Sequence, residues 1–184
     1  MSSRRQLVTV IAAAMSVLVV AAAGCSSNED ADAAKPALSA VNAKQAPLLP
    51  DEADALPDFD FAKFEALGAQ LNGVPVVVNI WSSWCGPCRT EAEVLAAAAA
   101  TYGTKVQFLG VDILDDRGDA AAFIRAHGWS YPSVFDHSGE IRDKLGFVGQ
   151  PETLFYDATG DLVATWIGPI PDDEMHRQVN AIAG

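Results

Sequence analysis

The sequence has 184 residues, of which 50% are hydrophobic and 20% are charged, and its formal net charge at pH 7 is −12. This length suits one globular domain with shorter flanking segments. Because an acidic surface repels phosphate backbones and anionic headgroups, the composition argues against nucleic acid as a partner and against membrane adsorption through charge alone.

The chain begins with a pattern that is typical of an export signal. Arg4 and Arg5 supply a positive start, and residues 7–23 are almost unbroken apolar sequence. An apolar run of this length is slightly short for a membrane-spanning helix. We therefore predict a signal peptide over residues 1–24. Such a signal places the rest of the chain outside the cytoplasm, where disulfides persist.

The predicted signal ends in small residues followed by Cys25. This pattern resembles a bacterial lipoprotein processing site, in which the cysteine is acylated and becomes the new N-terminus. Acyl chains on Cys25 would anchor the protein to the membrane, since each buried methylene is worth roughly 0.8 kcal/mol. The alternatives are ordinary signal cleavage, which leaves Cys25 as a free thiol, and an uncleaved anchor.

Residues 25–57 have the composition of a linker. They are rich in Ala, Pro, Asp and Ser and contain no aromatic residue. A segment that can bury so little apolar surface is expected to stay disordered. We predict a tether over residues 25–57 that joins the anchor to one domain over residues 58–184.

The domain region alternates strand-like and helix-like patterns. Apolar, β-branched runs at residues 74–81 and 106–111 predict strands buried on both faces. The alanine-rich run from the cysteines to about Tyr102 predicts a helix, whereas residues 59–71 have apolar positions at mixed spacing and indicate no definite element. The remaining predicted elements are a helix at 119–127, a strand at 133–135, a helix at 140–145, a hairpin of strands 153–156 and 162–166, and a helix at 172–182. This order indicates an α/β domain.

Two cysteines, Cys85 and Cys88, lie between the first predicted strand and its helix. Open α/β sheets usually place their chemistry at this end of a strand. The helix N-terminus stabilises a thiolate and lowers its pKa, so Cys85 is predicted to attack the substrate, with its sulfur exposed. Cys88 lies one turn further on the same helix face and would resolve the mixed disulfide. Pro87 suits an early helical position because its missing N–H costs little there.

The other chemistries of paired cysteines fit the sequence less well. A zinc site needs about four ligands, but the third cysteine is Cys25 and the three histidines are scattered. A haem-attachment motif requires histidine after the second cysteine, and Arg89 stands there. A purely structural disulfide would close too small a loop to stabilise much. We therefore predict a redox pair that uses no metal and no cofactor.

Asp115 and Asp116 follow the second predicted strand and precede the next helix. Negative charge is favoured at a helix N-terminus, so a role in starting the helix explains both residues. Because they follow a strand, an approach to the face of the domain that carries the cysteines explains them equally well.

Several stretches of the chain resemble one family. VVVNIWSSWCGPCRTE is similar to an apolar strand followed by W-C-x-x-C, with Glu91 matching an acidic residue three positions after the second cysteine. GVDILDDRGDAAAFIRAHGWSYPSVFD resembles a central helix-and-strand insertion, and GQPETLFYDATGDL resembles a loop with a cis-proline. From Phe59 to Gly184 the chain thus resembles the thioredoxin fold, and more closely the membrane-tethered TlpA, ResA and CcmG (DsbE-like) branch of thiol-disulfide oxidoreductases. The resemblance implies a thioredoxin fold with a TlpA-type insertion.

The resemblance also implies roles for individual residues. Pro151 would be cis and would present the backbone of Gln150 beside Cys85, where an extended substrate segment can pair with it. Trp84 would form an apolar rim, and the intervening Gly86 and Pro87 would contact the substrate.

Two acidic residues have roles that depend on burial. Glu91 would be buried, so that its raised pKa lets it exchange a proton with Cys88. The alternative for Glu91 is an ordinary solvated glutamate. Glu152, directly after Pro151, would line the same cleft.

The direction of the reaction is predicted from the residues between the cysteines. Gly-Pro is the dipeptide of thioredoxin, whose potential is about −270 mV, whereas the oxidant DsbA lies near −120 mV. This favours a reductant, and the resemblance suggests apocytochrome c as the substrate and a membrane thiol-disulfide carrier as the electron donor. The alternatives are a disulfide oxidase or isomerase for secreted proteins and, less favoured, a redox-inert binding lipoprotein.

Overall fold

The structure of the protein is a computed structural model that describes residues 37–42 and 44–184. The predicted signal peptide, the predicted lipidation site Cys25 and the first part of the predicted tether lie outside the described residues. Within the described ranges, no helix combines the length and the apolar character that crossing a membrane requires.

A mixed five-stranded sheet organises the described domain. In chain order the elements are α1 (Phe61–Gln70), β1 (Val76–Trp81), α2 (Gly86–Tyr102), β2 (Gln107–Ile113), α3 (Arg117–Ala126), β3 (Ser133–Asp136), α4 (Glu140–Lys144), β4 (Glu152–Tyr156), β5 (Leu162–Ile167) and α5 (Asp172–Ala183). The strand order is β3-β2-β1-β4-β5. Strands β1, β2 and β3 run parallel to one another. Strand β4 runs antiparallel to both β1 and β5.

The central strand β1 supplies both hydrophobic cores. Successive side chains of a strand point to opposite faces. Val77 and Trp81 therefore pack on one face with residues of α2, α3 and α5. Val78 and Ile80 pack on the other face with residues of α1 and α4. Because both faces are covered, every residue of β1 is buried, which explains its apolar, β-branched composition.

The predicted α/β thioredoxin-like architecture is confirmed. The predicted strands, the hairpin and the helices after the cysteines are found within a few residues of their expected positions. The central insertion consists of α3 and β3, and β3 extends the sheet beside β2.

Helix α1 was missed by the sequence analysis, which assigned no element to residues 59–71. Asp60 caps the helix, and its carboxylate accepts a hydrogen bond from the backbone N–H of Lys63 at 2.8 Å. Only Leu67 is fully buried within α1. A helix with one buried position shows little apolar periodicity, so its pattern was too weak to detect.

The tether prediction is wrong for residues 44–57, because these residues pack against the domain. Leu49, Ala53 and Leu56 are buried in the hydrophobic cores. Asp54 also forms an ion pair with Arg125 of α3, with 2.8 Å between Oδ2 and Nη1. A few well-spaced apolar residues are enough to hold the segment once the rest of the domain offers a surface for them. The domain therefore begins before residue 58.

Candidate active site

Cys85 and Cys88 form a disulfide at the start of α2, directly beyond the carboxyl end of β1. Cys85 is the N-cap of α2, and its Sγ accepts a hydrogen bond from the backbone N–H of Cys88 at 3.2 Å. Pro87 lies in the first turn, where no intrahelical N–H is needed. The helix N-terminus therefore faces the sulfur of Cys85, as the sequence predicted.

The pair lies close beneath the surface. Cys85 is 4% exposed and Cys88 is 1% exposed. Both cysteines are therefore buried, and the prediction of an exposed Cys85 sulfur is wrong for this disulfide form, although Cys85 is slightly more accessible than Cys88. Trp84, directly before it, is 55% exposed and presents a large apolar ring next to the disulfide.

The loop before β4 lies against the cysteines. The peptide bond between Gln150 and Pro151 is cis. The carbonyl oxygen of Gln150 lies 3.8 Å from Sγ of Cys85, and the Gln150 side chain donates from Nε2 to Oγ of Ser82 at 3.3 Å. The structure therefore brings together the three residues that the resemblance placed at one site.

Glu91 is buried on the face of α2 that carries Cys88. Glu91 is only 1% exposed to solvent. Oε1 accepts a hydrogen bond from Asn79 Nδ2 at 2.8 Å, and Oε2 accepts one from the backbone N–H of Ile170 at 2.9 Å. Burial raises the pKa of Glu91 to about 7, although both hydrogen bonds act in the opposite direction. A carboxyl group that titrates near neutrality is suited to proton exchange at working pH.

Glu91 belongs to a buried polar cluster that the sequence analysis did not identify. Asn79 Nδ2 also donates to Oγ1 of Thr153 at 3.2 Å. Tyr131 is fully buried, and its pKa is raised first by burial and then by the negative charge of Glu91. The members lie on separate elements, so no local motif marks them. One usable signal was present, since Asn79 is the only polar residue in the strand VVVNIW.

Glu152 does not join this cluster. It is the first residue of β4 and is buried, and burial raises its pKa to about 7 while the positive charge of Arg142 opposes the shift. Thr153, the next residue, contacts Asn79 on the cysteine face. Strand alternation therefore directs Glu152 to the other face of the sheet. The prediction that Glu152 lines the cleft does not hold.

The segment before the cysteines is fastened to the loop between β2 and α3. Ser82 donates from Oγ to the carbonyl of Ile113 at 2.6 Å. Trp84 donates from Nε1 to the carbonyl of Leu114 at 3.0 Å. Ser83 donates from Oγ to Asp115 Oδ1 at 2.9 Å, and its backbone N–H donates to Oδ2 of the same carboxylate. Ser83 and Trp84 thus bind the loop, and Ser82 binds the last residue of β2 directly before it.

The two aspartates before α3 have separate roles. Asp115 binds the active-site segment, whereas Asp116 is the N-cap of α3 and accepts hydrogen bonds from the backbone N–H groups of Gly118 and Asp119. Each of the two explanations that the sequence left open is therefore correct for one residue. Metal ligands are not gathered here: within residues 37–42 and 44–184, no three His, Cys, Asp or Glu side chains form a candidate metal site.

Comparisons with known proteins agree with this geometry. Residues 49–165 match the AhpC/TSA family. The chain is 32% identical over 109 residues to the thiol:disulfide interchange protein DsbE of Yersinia pestis, covering 59% of this chain and 56% of that protein. It is 37% identical over 89 residues to DsbE of Escherichia coli K12, covering 48% of this chain and 46% of that protein. The match thus spans about half of each relative.

A solved structure of similar fold is that of a secreted Mycobacterium tuberculosis disulfide oxidoreductase described as homologous to E. coli DsbE. It superposes with a TM-score of 0.58 at 29% sequence identity, covering 61% of this chain and 85% of that chain.

Proposed function

Because this chain belongs to the AhpC/TSA family, we propose that its Cys85–Cys88 pair makes it a thiol-disulfide oxidoreductase that reduces disulfides in other proteins. The relatives named thiol:disulfide interchange protein support this activity. So does the position of the pair, with Cys85 at the N-cap of a helix beside the Gln150 carbonyl.

The reaction proceeds in two exchange steps. In the dithiol form, the Cys85 thiolate attacks a substrate disulfide, forms a mixed disulfide and releases the first substrate sulfur as a thiolate. Cys88 then passes its proton to the Glu91 carboxylate and attacks Sγ of Cys85. The second substrate sulfur leaves as a thiolate, and the protein retains the Cys85–Cys88 disulfide. The substrate disulfide gains two electrons from the protein. An electron donor must therefore reduce the Cys85–Cys88 disulfide before the next cycle.

The buried position of Glu91 is the observation that carries the reducing direction. DsbA is a strong oxidant because its reduced form is stabilised. Glu91 lies one turn beyond Cys88 on the buried face of α2, and an anionic carboxylate there disfavours a thiolate on Cys88. Since the thiolate form gains no stabilisation from Glu91, we expect the potential of the pair to be low.

The proposal extends to the location and the substrate, and it is supported there by the signal pattern and by the resemblance of the sequence to the CcmG (DsbE-like) branch. We propose that lipidated Cys25 holds the protein on the outer face of the cell membrane. There it would reduce apocytochrome c during cytochrome c maturation and receive electrons from a membrane thiol-disulfide carrier. The alternative is a disulfide oxidase or isomerase for secreted proteins.

The reduction potential of the pair separates the two directions. The chain from residue 26 is equilibrated with dithiothreitol or glutathione buffers, and the fraction of disulfide is measured. We expect a potential near or below about −230 mV. A value between about −120 and −150 mV would instead assign the oxidase function. A Cys88→Ser variant, which retains mixed disulfides on Cys85, then identifies the substrates by mass spectrometry, with Cys85→Ser as the matched control.

A further inference from the structure

The carboxylate of Asp115 is surrounded by donors. Oδ1 accepts hydrogen bonds from Oγ of Ser83 at 2.9 Å and from the backbone N–H of Asp116 at 2.8 Å. Oδ2 accepts the backbone N–H of Ser83. A carboxylate that accepts three hydrogen bonds is stabilised in its ionised form. Through its bonds to Ser83, Asp115 fixes the residue two positions before Cys85.

A second carboxyl group, that of Asp112, interacts with Asp115. Unlike Asp115, it is not surrounded by hydrogen-bond donors. Asp112 is 0% exposed, and no N–H or hydroxyl donor of the described residues reaches either of its oxygens. The side chain with which it can share a hydrogen bond is the carboxyl group of Asp115. Its neighbours in register on β1 and β3 are Trp81 and Phe135, which carry no charge. The charged groups of the described chain that act on it are Asp115 and, more weakly, Arg117 at the start of α3.

We propose that Asp112 is a positioning residue: it retains a proton, shares that proton with Asp115, and thereby keeps Asp115 bound to Ser83 and the Trp84–Cys85 segment in place. A buried carboxyl without donors cannot be ionised at low cost, whereas Asp115 has the donors that an anion requires. The proton therefore resides on Asp112, and the pair carries one negative charge.

The arrangement predicts a response to alkaline pH. Burial raises the pKa of Asp112 to about 9, the nearby charge of Asp115 adds to the shift, and Arg117 opposes it. Below this pH the protonated Asp112 can donate to Asp115. Above it, the buried carboxylate of Asp112 faces the half-buried carboxylate of Asp115, and their repulsion is relieved when Asp115 moves away. The hydroxyl and the backbone N–H of Ser83 then lose their acceptors on Asp115, so the segment that carries Cys85 loses this attachment to the loop.

The test is a titration of the oxidised chain from residue 26 to residue 184, labelled with ¹³C and ¹⁵N. The carboxyl carbons of Asp112 and Asp115 and the amide of Ser83 are followed by NMR from pH 6 to pH 10.5. We expect Asp112 to titrate near pH 9 and the Ser83 amide to shift with the same midpoint. In Asp112→Asn, which keeps a neutral donor of similar shape, the Ser83 transition should disappear while its neutral-pH signal stays in place.

Asp116→Asn is the matched control, because it removes a neighbouring aspartate charge and keeps a good helix cap. It should leave the Ser83 transition unchanged. Two results with the unsubstituted protein would overturn the proposal. One is an ionised Asp112 at pH 7, and the other is a Ser83 amide signal whose pH midpoint differs from that of the Asp112 carboxyl carbon. In Asp115→Asn we expect disulfide exchange with a cysteine-containing peptide to slow by about tenfold, since small displacements of a reacting group cost rate steeply.

The effect of this positioning role on disulfide exchange rests on the proposed function. The NMR titration does not depend on that function. If the NMR coupling is present and the protein exchanges no disulfides, the proposed function fails while the Asp112–Asp115 pair stands. If exchange is normal and the Ser83 amide is independent of Asp112, the proposed function stands and the pair has no positioning role.

Discussion

At the scale of single residues, two buried acids on one face of the sheet differ in what surrounds them. Glu91 receives two hydrogen bonds, from Asn79 and from the Ile170 backbone, whereas no N–H or hydroxyl donor of the described residues reaches Asp112. Burial raises both pKa values, to about 7 for Glu91 and about 9 for Asp112. Because donors favour the ionised form, Glu91 can gain and lose a proton near neutral pH while Asp112 retains its proton.

Burial of Glu91 makes stability depend on pH. Its pKa rises from 4.5 to about 7 on folding, so between these values the folded state binds more protons than the unfolded state. Stability should therefore fall as pH increases through this window and level off above it. In Glu91→Gln the decrease in the free energy of unfolding between pH 5 and pH 8 should be smaller by about 2 to 3 kcal/mol. Urea unfolding of the disulfide form at these two pH values measures it.

The glutamine can be accommodated because the Oδ1 atom of Asn79 has no hydrogen-bond partner in the described structure. Rotation of the Asn79 amide lets this oxygen accept from the new side-chain N–H. Glu93→Gln is the matched control, since Glu93 lies on the same helix and is exposed. Equal pH dependence in Glu91→Gln and Glu93→Gln would show that Glu91 does not titrate in this range.

At the scale of elements, the loop between β2 and α3 serves two neighbours. Its first residues hold the segment before the cysteines through the carbonyl of Leu114 and the carboxylate of Asp115, and the carbonyl of Ile113 at the end of β2 adds a third bond. Its last residue, Asp116, starts α3. The insertion of α3 and β3 therefore stabilises the active-site segment as well as extending the sheet.

Loss of the cap should separate these two tasks. Asp116→Ala removes the acceptor for the N–H groups of Gly118 and Asp119, which should lower the free energy of unfolding by about 1 kcal/mol. The reduction potential of the cysteine pair should not change, because Asp116 does not contact Ser83 through its side chain. Asp116→Asn should restore most of the stability. A shifted potential in Asp116→Ala would mean that the two ends of the loop are coupled.

At the scale of the whole molecule, the segment before α1 belongs to the folded domain. Leu49 packs with the core on the α1 side of the sheet, and Ala53 and Leu56 pack with the core that contains the cysteines. The segment thus contributes to both cores, although its composition is that of a linker.

Removal of this segment should destabilise the domain. A chain that starts at residue 58 should unfold at a lower urea concentration than one that starts at residue 37, with a loss of about 3 kcal/mol or more, because Leu49 and Leu56 together bury two large side chains. Chemical unfolding followed by tryptophan fluorescence measures the difference. Equal unfolding midpoints for the two chains would restore the assignment of residues 44–57 as a tether.

Much of the fold was predictable because its signals are local. The buried strands are continuous apolar runs, α2 begins at the Cys85 motif, and the β4–β5 hairpin is marked by its turn. The elements that were missed or misjudged are those whose local signal is weak. Helix α1 buries one residue fully, and residues 44–57 bury a few scattered ones.

By itself, the sequence determined the order of the elements, the position of Cys85 and Cys88 at a helix N-terminus, and the resemblance that implied a cis bond before Pro151. The tertiary structure alone decided which acids are buried and what they contact. Asp115 binds Ser83 across 32 residues of sequence, and Glu91 binds the Ile170 backbone across 79. Such contacts, and the pKa values that burial imposes, depend on how distant elements pack, and residue spacing along the chain carries no record of that packing.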